Sequence, residues 1–226
     1  MANGFLPSLR EVKGPPHVFL PVHPAPILQA SYPNSRQFNK ALAELIESSS
    51  PIVNEGNPGL KIFFDGESVL LRSCFSEFRA WVEGLAKVFA TEALGLDASS
   101  GFTVTDSWVN ETRDGGFQQP HIHTNSFISG TYYIKRSAGH SPIVFANPRR
   151  NAVPTTPSLS LRTVSHTPFN SDAVIAPDEG DILLWESHQL HGYPPSAPGR
   201  QSLSMNLMPL TTSNGVYGFH ATPVQP

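Results

Sequence analysis

The chain has 226 residues, a net charge of −3 and an isoelectric point near 6.3. That length suits one elaborated domain with a sizeable core. It shows no basic block for nucleic acid, no acidic tail for a charged partner, and no apolar run of the roughly 18 residues that a membrane span needs.

Cys74 is the single cysteine, so no internal disulfide is possible. A start without a basic segment followed by an apolar one, together with unpaired thiol chemistry, points to a reducing, cytoplasmic setting. Between Ser73 and Phe75, the thiol is expected to be a small buried filler rather than a nucleophile. The 22 prolines and 17 glycines predict many short segments joined by turns.

Residues 1–34 read as Pro-rich and irregular, with an edge strand at "HVFLPV". Ser35 is placed to cap a helix whose Phe38, Leu42, Leu45 and Ile46 share one stripe. From Ser76 to about Leu94 a second helix sets Phe78, Trp81, Val82, Leu85, Val88 and Phe89 at helical spacing, as a face packed on a sheet would be. After Gly101 the pattern turns to short β-prone runs, among them "GFTVTDSWVN", "SFISGTYYIKR", "PIVFAN", "LSLRTVSHTPF", "DAVIAPDEG", "DILLWES" and "QSLSMNLMPL". Turns such as "DGG", "NPRRN" and "PSAPGR" separate them. This predicts a mainly β protein, an antiparallel barrel or sandwich, behind two helices. The expected organisation is one domain over 1–226. It comprises an N-terminal extension (1–100), a β core (101–210) and a surface tail (211–226).

His121-Ile122-His123 offers two imidazoles to one side if the segment is a strand. With nine histidines in the chain, an H-x-H pair alone is weak evidence. Support comes from "GDILLWESHQLHGYPPSAPGRQS", an apolar strand that reaches His188 and His191, turns through "YPPSAPG" and returns at Arg200, nine residues after His191. Arg200 and Ser202 share one face of the returning strand, where they can hold a carboxylate.

The ordered elements resemble the 2-oxoglutarate- and Fe(II)-dependent oxygenase superfamily. More closely, they resemble a 2OG-Fe(II) oxygenase family with an H-x-H…H…R-x-S signature. They are Trp108-Val109-Asn110, Gly115, His121-Ile122-His123, Ser129-Gly130-Thr131-Tyr132-Tyr133, Phe145, Pro148-Arg149, Gly180-Asp181, His191, Arg200-Gln201-Ser202 and Asn206. The resemblance covers about residues 101–209 and implies a double-stranded β-helix, or jelly roll, binding Fe(II), 2-oxoglutarate and O2. By that likeness His121 and His191 bind iron. Arg200, helped by Ser202 and Tyr133, grips the distal carboxylate of 2-oxoglutarate. Asn110 and Asn206 either line the pocket or satisfy backbone at strand ends.

The superfamily usually carries Asp or Glu where this chain has His123. Either His123 is the third ligand, or an oxygen ligand fills that place, with Asn125 and Glu186 the nearest candidates. His191 is preferred over His188 by its spacing to Arg200. His17, His23, His140, His166 and His220 are expected at the surface, and Trp185 in the core. Arg149 and Arg150 read as a solvated turn or a substrate contact at the site mouth. Hydroxylation of a C–H bond is the default outcome, since His123 leaves little room for the halide of a halogenase. Two rival readings stay open: a cupin-like three-histidine oxygenase without 2-oxoglutarate, and a non-catalytic β-sandwich binding protein. No loop names the substrate, whether small molecule or peptide, or the oligomeric state.

Overall fold

A computed structural model describes residues 25–53, 57–147, 171–213 and 215–222. In chain order the elements begin with β1 (Ile27–Ser31), α1 (Ser35–Glu47), β2 (Ile52–Val53) and β3 (Leu60–Phe63). Two 3-10 turns lead into α2 (Ser76–Val88), which runs on through a π-helical turn at Phe89–Ala93. The strands that follow are β4 (Phe102–Thr112), β5 (Gly116–His121), β6 (Ile128–Lys135), β7 (Ile143–Phe145), β8 (Ala173–Ile175), β9 (Asp181–Glu186), β10 (His191–Ser196) and β11 (Gln201–Pro209). A hairpin of β12 (Thr211–Ser213) and β13 (Gly218–His220) follows.

The strands form a seven-stranded sheet, β1-β9-β6-β11-β4-β3-β2, facing a four-stranded one, β5-β10-β7-β8. Their pairings are antiparallel, and the fold is a double-stranded β-helix.

The large sheet is covered on both faces, which is why its strand β9 reads as a near-continuous apolar run. Along β9, Ile182 and Leu184 join the core under the helices, while Leu183 and Trp185 join Ile143 and Phe145 between the sheets. Tyr132 and Tyr133 of β6 divide the same way. On the helix side Phe38 and Phe78 stack at 3.9 Å, and Tyr132 meets their rings edge-on at 5.3 and 4.9 Å. The other face of β11 presents Ser202, Ser204 and Asn206 in alternation with Leu203, Met205 and Leu207. A single strand thus serves the core with one set of residues and the pocket with the other.

Several expectations are corrected. Residues 27–31, read as irregular, form β1 and pair with β9. Ser35 lies inside the first turn of α1, and the capping position is Asn34, whose side chain instead donates to Glu77 Oε1 at 2.9 Å. Val88 ends α2 exposed. Cys74 is exposed, since the 3-10 turn at Ser73–Phe75 turns Phe75 inward instead. His140 is buried, its ring taking up a donor and an acceptor from two turns: Ser137 N–H donates to Nδ1 at 3.1 Å, and Nε2 donates to the Pro198 carbonyl at 3.1 Å.

The expected turn at "YPPS" belongs to strand β10. Its two prolines sit exposed in a register-shifted stretch against β5, where a missing N–H breaks no ladder bond. Part of the expected tail forms the exposed β12–β13 hairpin. The "HVFLPV" and "LSLRTVSHTPF" strands, Pro148-Arg149-Arg150, His17, His23 and His166 lie outside the described residues.

Candidate active site

β5 and β10 are neighbours in the smaller sheet, and their register sets His191 opposite His121. The two ring centroids are 4.4 Å apart. His123 lies two residues past the end of β5, so it does not share a strand face with His121. A turn brings it back: its backbone N–H donates to the Ser187 carbonyl at 2.9 Å. Its ring then lies 5.1 Å from that of His121 and 5.3 Å from that of His191. Trp108 from β4 stacks beside it, 5.8 Å between centroids and 21° between planes. Asn206 faces the His123 side chain and accepts from Ser129 Oγ at 3.2 Å.

Nδ1 of His121 is 2.8 Å from the Gln119 carbonyl, and Nδ1 of His191 is 2.8 Å from the Gln189 carbonyl. A carbonyl only accepts, so each ring carries its proton on Nδ1 and turns a lone pair outward from Nε2. His121 Nε2 and His123 Nε2 stand 3.2 Å apart, and the potential ligand atoms of all three histidines lie within 4.8 Å of one another. Two nitrogens each about 2.1 Å from one metal at a right angle would be about 3.0 Å apart. The donor set therefore fits a transition-metal ion, and imidazole suits iron. Burial pushes His191 down to about 3, with the charges of His121 and His123 adding to the effect; burial and then His121 lower His123. Both rings are neutral, and so available as ligands, at neutral pH. Among the described residues this is the one group of three or more His, Cys, Asp or Glu side chains close enough to share an ion. His188 is exposed and stands outside it, as does Glu186, and Asn125 is not among the residues that line the cavity.

The same cavity is lined by Asn110, Arg200, Ser202 and Ser204, and by Trp108, Gln118, Trp185 and Tyr193. Arg200 follows the Gly199 turn and is pinned by Thr112, whose N–H donates to the Arg200 carbonyl at 2.9 Å. Its side chain is 1% exposed, yet no carboxylate pairs with it among the described residues. Nη1 donates to Ser202 Oγ at 3.1 Å. The guanidinium carbon lies 4.1 Å from the Tyr193 ring centre and 5.2 Å from that of Tyr133. Nε of Arg200 and the hydroxyls of Tyr133 and Tyr193 are buried without hydrogen-bond partners among the described residues. Burial raises the pKa of both phenols against the pull of Arg200, so both remain O–H donors. A buried cation ringed by unpartnered donors is the complement of an anion such as the distal carboxylate of 2-oxoglutarate.

Of the predicted residues, His121, His123, His191, Arg200, Ser202 and Asn110 line one cavity, and Tyr133 and Asn206 touch its walls. Asn110 donates to Ser204 Oγ at 3.0 Å. Trp108, Trp185, Ser204 and Tyr193 were not expected as lining residues. The signal for three of them is alternation: Trp108, Ser204 and Tyr193 each stand two positions from Asn110, Ser202 and His191. Trp185 is buried as expected, but its ring also meets that of His191 at 4.7 Å.

Residues 106–206 match a family described as "Putative 2OG-Fe(II) oxygenase". A search of curated proteins finds no match. Solved structures share the fold at low identity. A Pseudomonas putida prolyl-4-hydroxylase is 14% identical with a TM-score of 0.53, over 81% of this chain and 92% of that one. The epimerase SnoN of nogalamycin biosynthesis, solved with Fe3+, alpha ketoglutarate and nogalamycin RO, is 12% identical with a TM-score of 0.56, over 89% of each chain. An oxidoreductase of the 2OG-Fe(II) oxygenase family from Burkholderia pseudomallei is 12% identical with a TM-score of 0.52, over 80% and 83%. The matched segment spans each histidine of the cluster and the buried arginine, so the part of the chain that carries the site is similar to the 2OG-Fe(II) oxygenase family.

Proposed function

We propose that His121, His123 and His191 hold Fe(II) through three imidazoles, that Arg200 holds the distal carboxylate of 2-oxoglutarate, and that the enzyme hydroxylates a C–H bond. The observation that carries this reading is the buried, carboxylate-free Arg200 in the cavity of the three histidines.

When bound, iron and 2-oxoglutarate supply an O2-dependent oxidation that converts the cosubstrate to succinate and CO2. The chain's own work is ligation, orientation and exclusion of water. The carbonyls of Gln119 and Gln189 lock two imidazoles in the tautomer that ligates. Asn206 and Trp108 hold the third ring in place. Ser202 and the Tyr133 and Tyr193 rings keep the Arg200 head in one position. Trp185 and Phe145 close the side behind His191.

With imidazole in place of the usual carboxylate, the bound centre carries one more positive charge. That weakens Fe(II) binding and raises its potential. Asn110 and Asn206 serve as polar wall rather than ligands. The organisation is read as a single oxygenase domain. No described helix is long and apolar enough to cross a membrane; a cytoplasmic location belongs to the same proposal, on the lone cysteine Cys74.

The test is an anaerobic titration with Fe(II) and 2-oxoglutarate, read by the visible charge-transfer band of keto-acid on iron. The band is expected in the parent. Arg200→Ala should weaken 2-oxoglutarate binding by about 2–5 kcal/mol, roughly 30-fold or more. His123→Ala should lower Fe(II) affinity if that ring ligates. Iron bound without the band would favour a three-histidine oxygenase that does not use 2-oxoglutarate. Absence of iron binding would leave a non-catalytic binding protein.

A further inference from the structure

The phenol of Tyr193 has no place in the motif that identifies the site. Tyr193 stands two residues after His191 on β10, so its side chain points inward on the same face and lines the same cavity. It reaches Arg200 from the smaller sheet, whereas Tyr133 reaches it from β6 of the larger one. The guanidinium carbon sits 4.1 Å from the Tyr193 ring centre, the closer of its two aromatic contacts. Ring stacking on a cation needs no hydroxyl, and phenylalanine would supply it. The Tyr193 hydroxyl is nonetheless buried, with no partner among the described residues.

Buried hydroxyls are normally satisfied, and among the described residues no acceptor accounts for this one beside a buried cation. A carboxylate presents about four lone-pair positions to donors. Arg200 and Tyr193 line the cavity and Tyr133 packs against Arg200; Arg200 Nε, Tyr133 Oη and Tyr193 Oη are three buried donors, each unpartnered among the described residues.

Resting on the 2-oxoglutarate reading above, we infer that Tyr193 is a cosubstrate-binding and specificity-determining residue. Its hydroxyl donates to the distal carboxylate from the smaller sheet, closing a clamp whose other jaw is Tyr133. The clamp selects a keto-diacid over a keto acid that ends in a methyl group.

The experiment uses the full chain loaded with Fe(II) under anaerobic conditions and compares the parent with Tyr193→Phe. Each is titrated with 2-oxoglutarate and with 2-oxobutyrate, which has the same keto-acid end and no distal carboxylate. Tyr193→Phe is expected to weaken 2-oxoglutarate binding about tenfold or more, the loss of one hydrogen bond to a charged group. Binding of 2-oxobutyrate should stay unchanged, since the ring over Arg200 is retained. Equal weakening of both ligands would show a packing role and overturn the inference. Unchanged 2-oxoglutarate binding would also overturn it, while leaving the oxygenase reading intact. A parent that binds iron but develops no band with 2-oxoglutarate would overturn both.

Discussion

The three imidazoles of the cluster show how far a single side chain can be read. His121, His123 and His191 stand out by motif, yet their protonation depends on neighbours that no motif contains. His191 is held neutral by burial, with a folded pKa of about 3 against a usual value of 6.5. The folded state therefore binds fewer protons than the unfolded one between those values. Its contribution to stability is fully present above about pH 6.5 and is lost as pH falls toward 3, with a slope of up to about 1.4 kcal/mol per pH unit. Denaturant midpoints of the metal-free protein should fall between pH 7 and pH 4.5. They should fall less steeply in His191→Gln; equal slopes in the two proteins would contradict a neutral buried imidazole. His140 and Cys74 make the opposite point. A histidine in "SAGHSP" and a thiol beside Phe75 have unremarkable local sequences. Which one is buried was decided by the Pro198 carbonyl and by the direction of a short 3-10 turn.

Between elements, the spacing of β5 and β10 controls the site. A Cβ built on Gly192 would lie 2.5 Å from the Gln118 carbonyl oxygen and 3.0 Å from Pro120 N, both backbone atoms of the opposite strand. Gly192→Ala should force the strands apart, at a cost of about 1–3 kcal/mol. Because His121 and His191 face each other across that gap, Fe(II) affinity by equilibrium dialysis should fall as well. Gly84 is the contrast: it is exposed within α2, and an added Cβ there meets nothing within 4 Å. Gly84→Ala should stabilise by about 0.5–1 kcal/mol and leave iron binding alone. The helices were legible because Phe38, Leu42 and Ile46, and Phe78 and Val82, repeat at helical spacing. β1 was missed because five residues with mixed burial carry too short a pattern, and its strand character comes from pairing with β9. β10 was missed because two prolines hid it.

Across the whole molecule, the seven-stranded sheet divides two interiors with different tasks. Helices and aromatic rings fill one side; polar donors and the histidines occupy the other. Phe78 is 1% exposed and touches Phe38, Tyr132, Tyr32 and Trp81. Phe78→Ala should cost about 3–5 kcal/mol by denaturant unfolding. Fe(II) affinity measured well below the melting temperature should be unchanged, since the cavity lies on the sheet's other face. The sequence by itself determined what depends on near neighbours: two amphipathic helices, a run of β-strands, and the ordered H-x-H, H and R-x-S elements that mark the family. Only the tertiary structure decided which residues meet. The β5–β10 register brings His191 to His121, a turn rather than a strand delivers His123, and two sheets place Tyr133 and Tyr193 on either side of the site around Arg200. The physical reason is that periodicity records which face of an element is buried, while strand pairing and side-chain donors are supplied by segments far away along the chain.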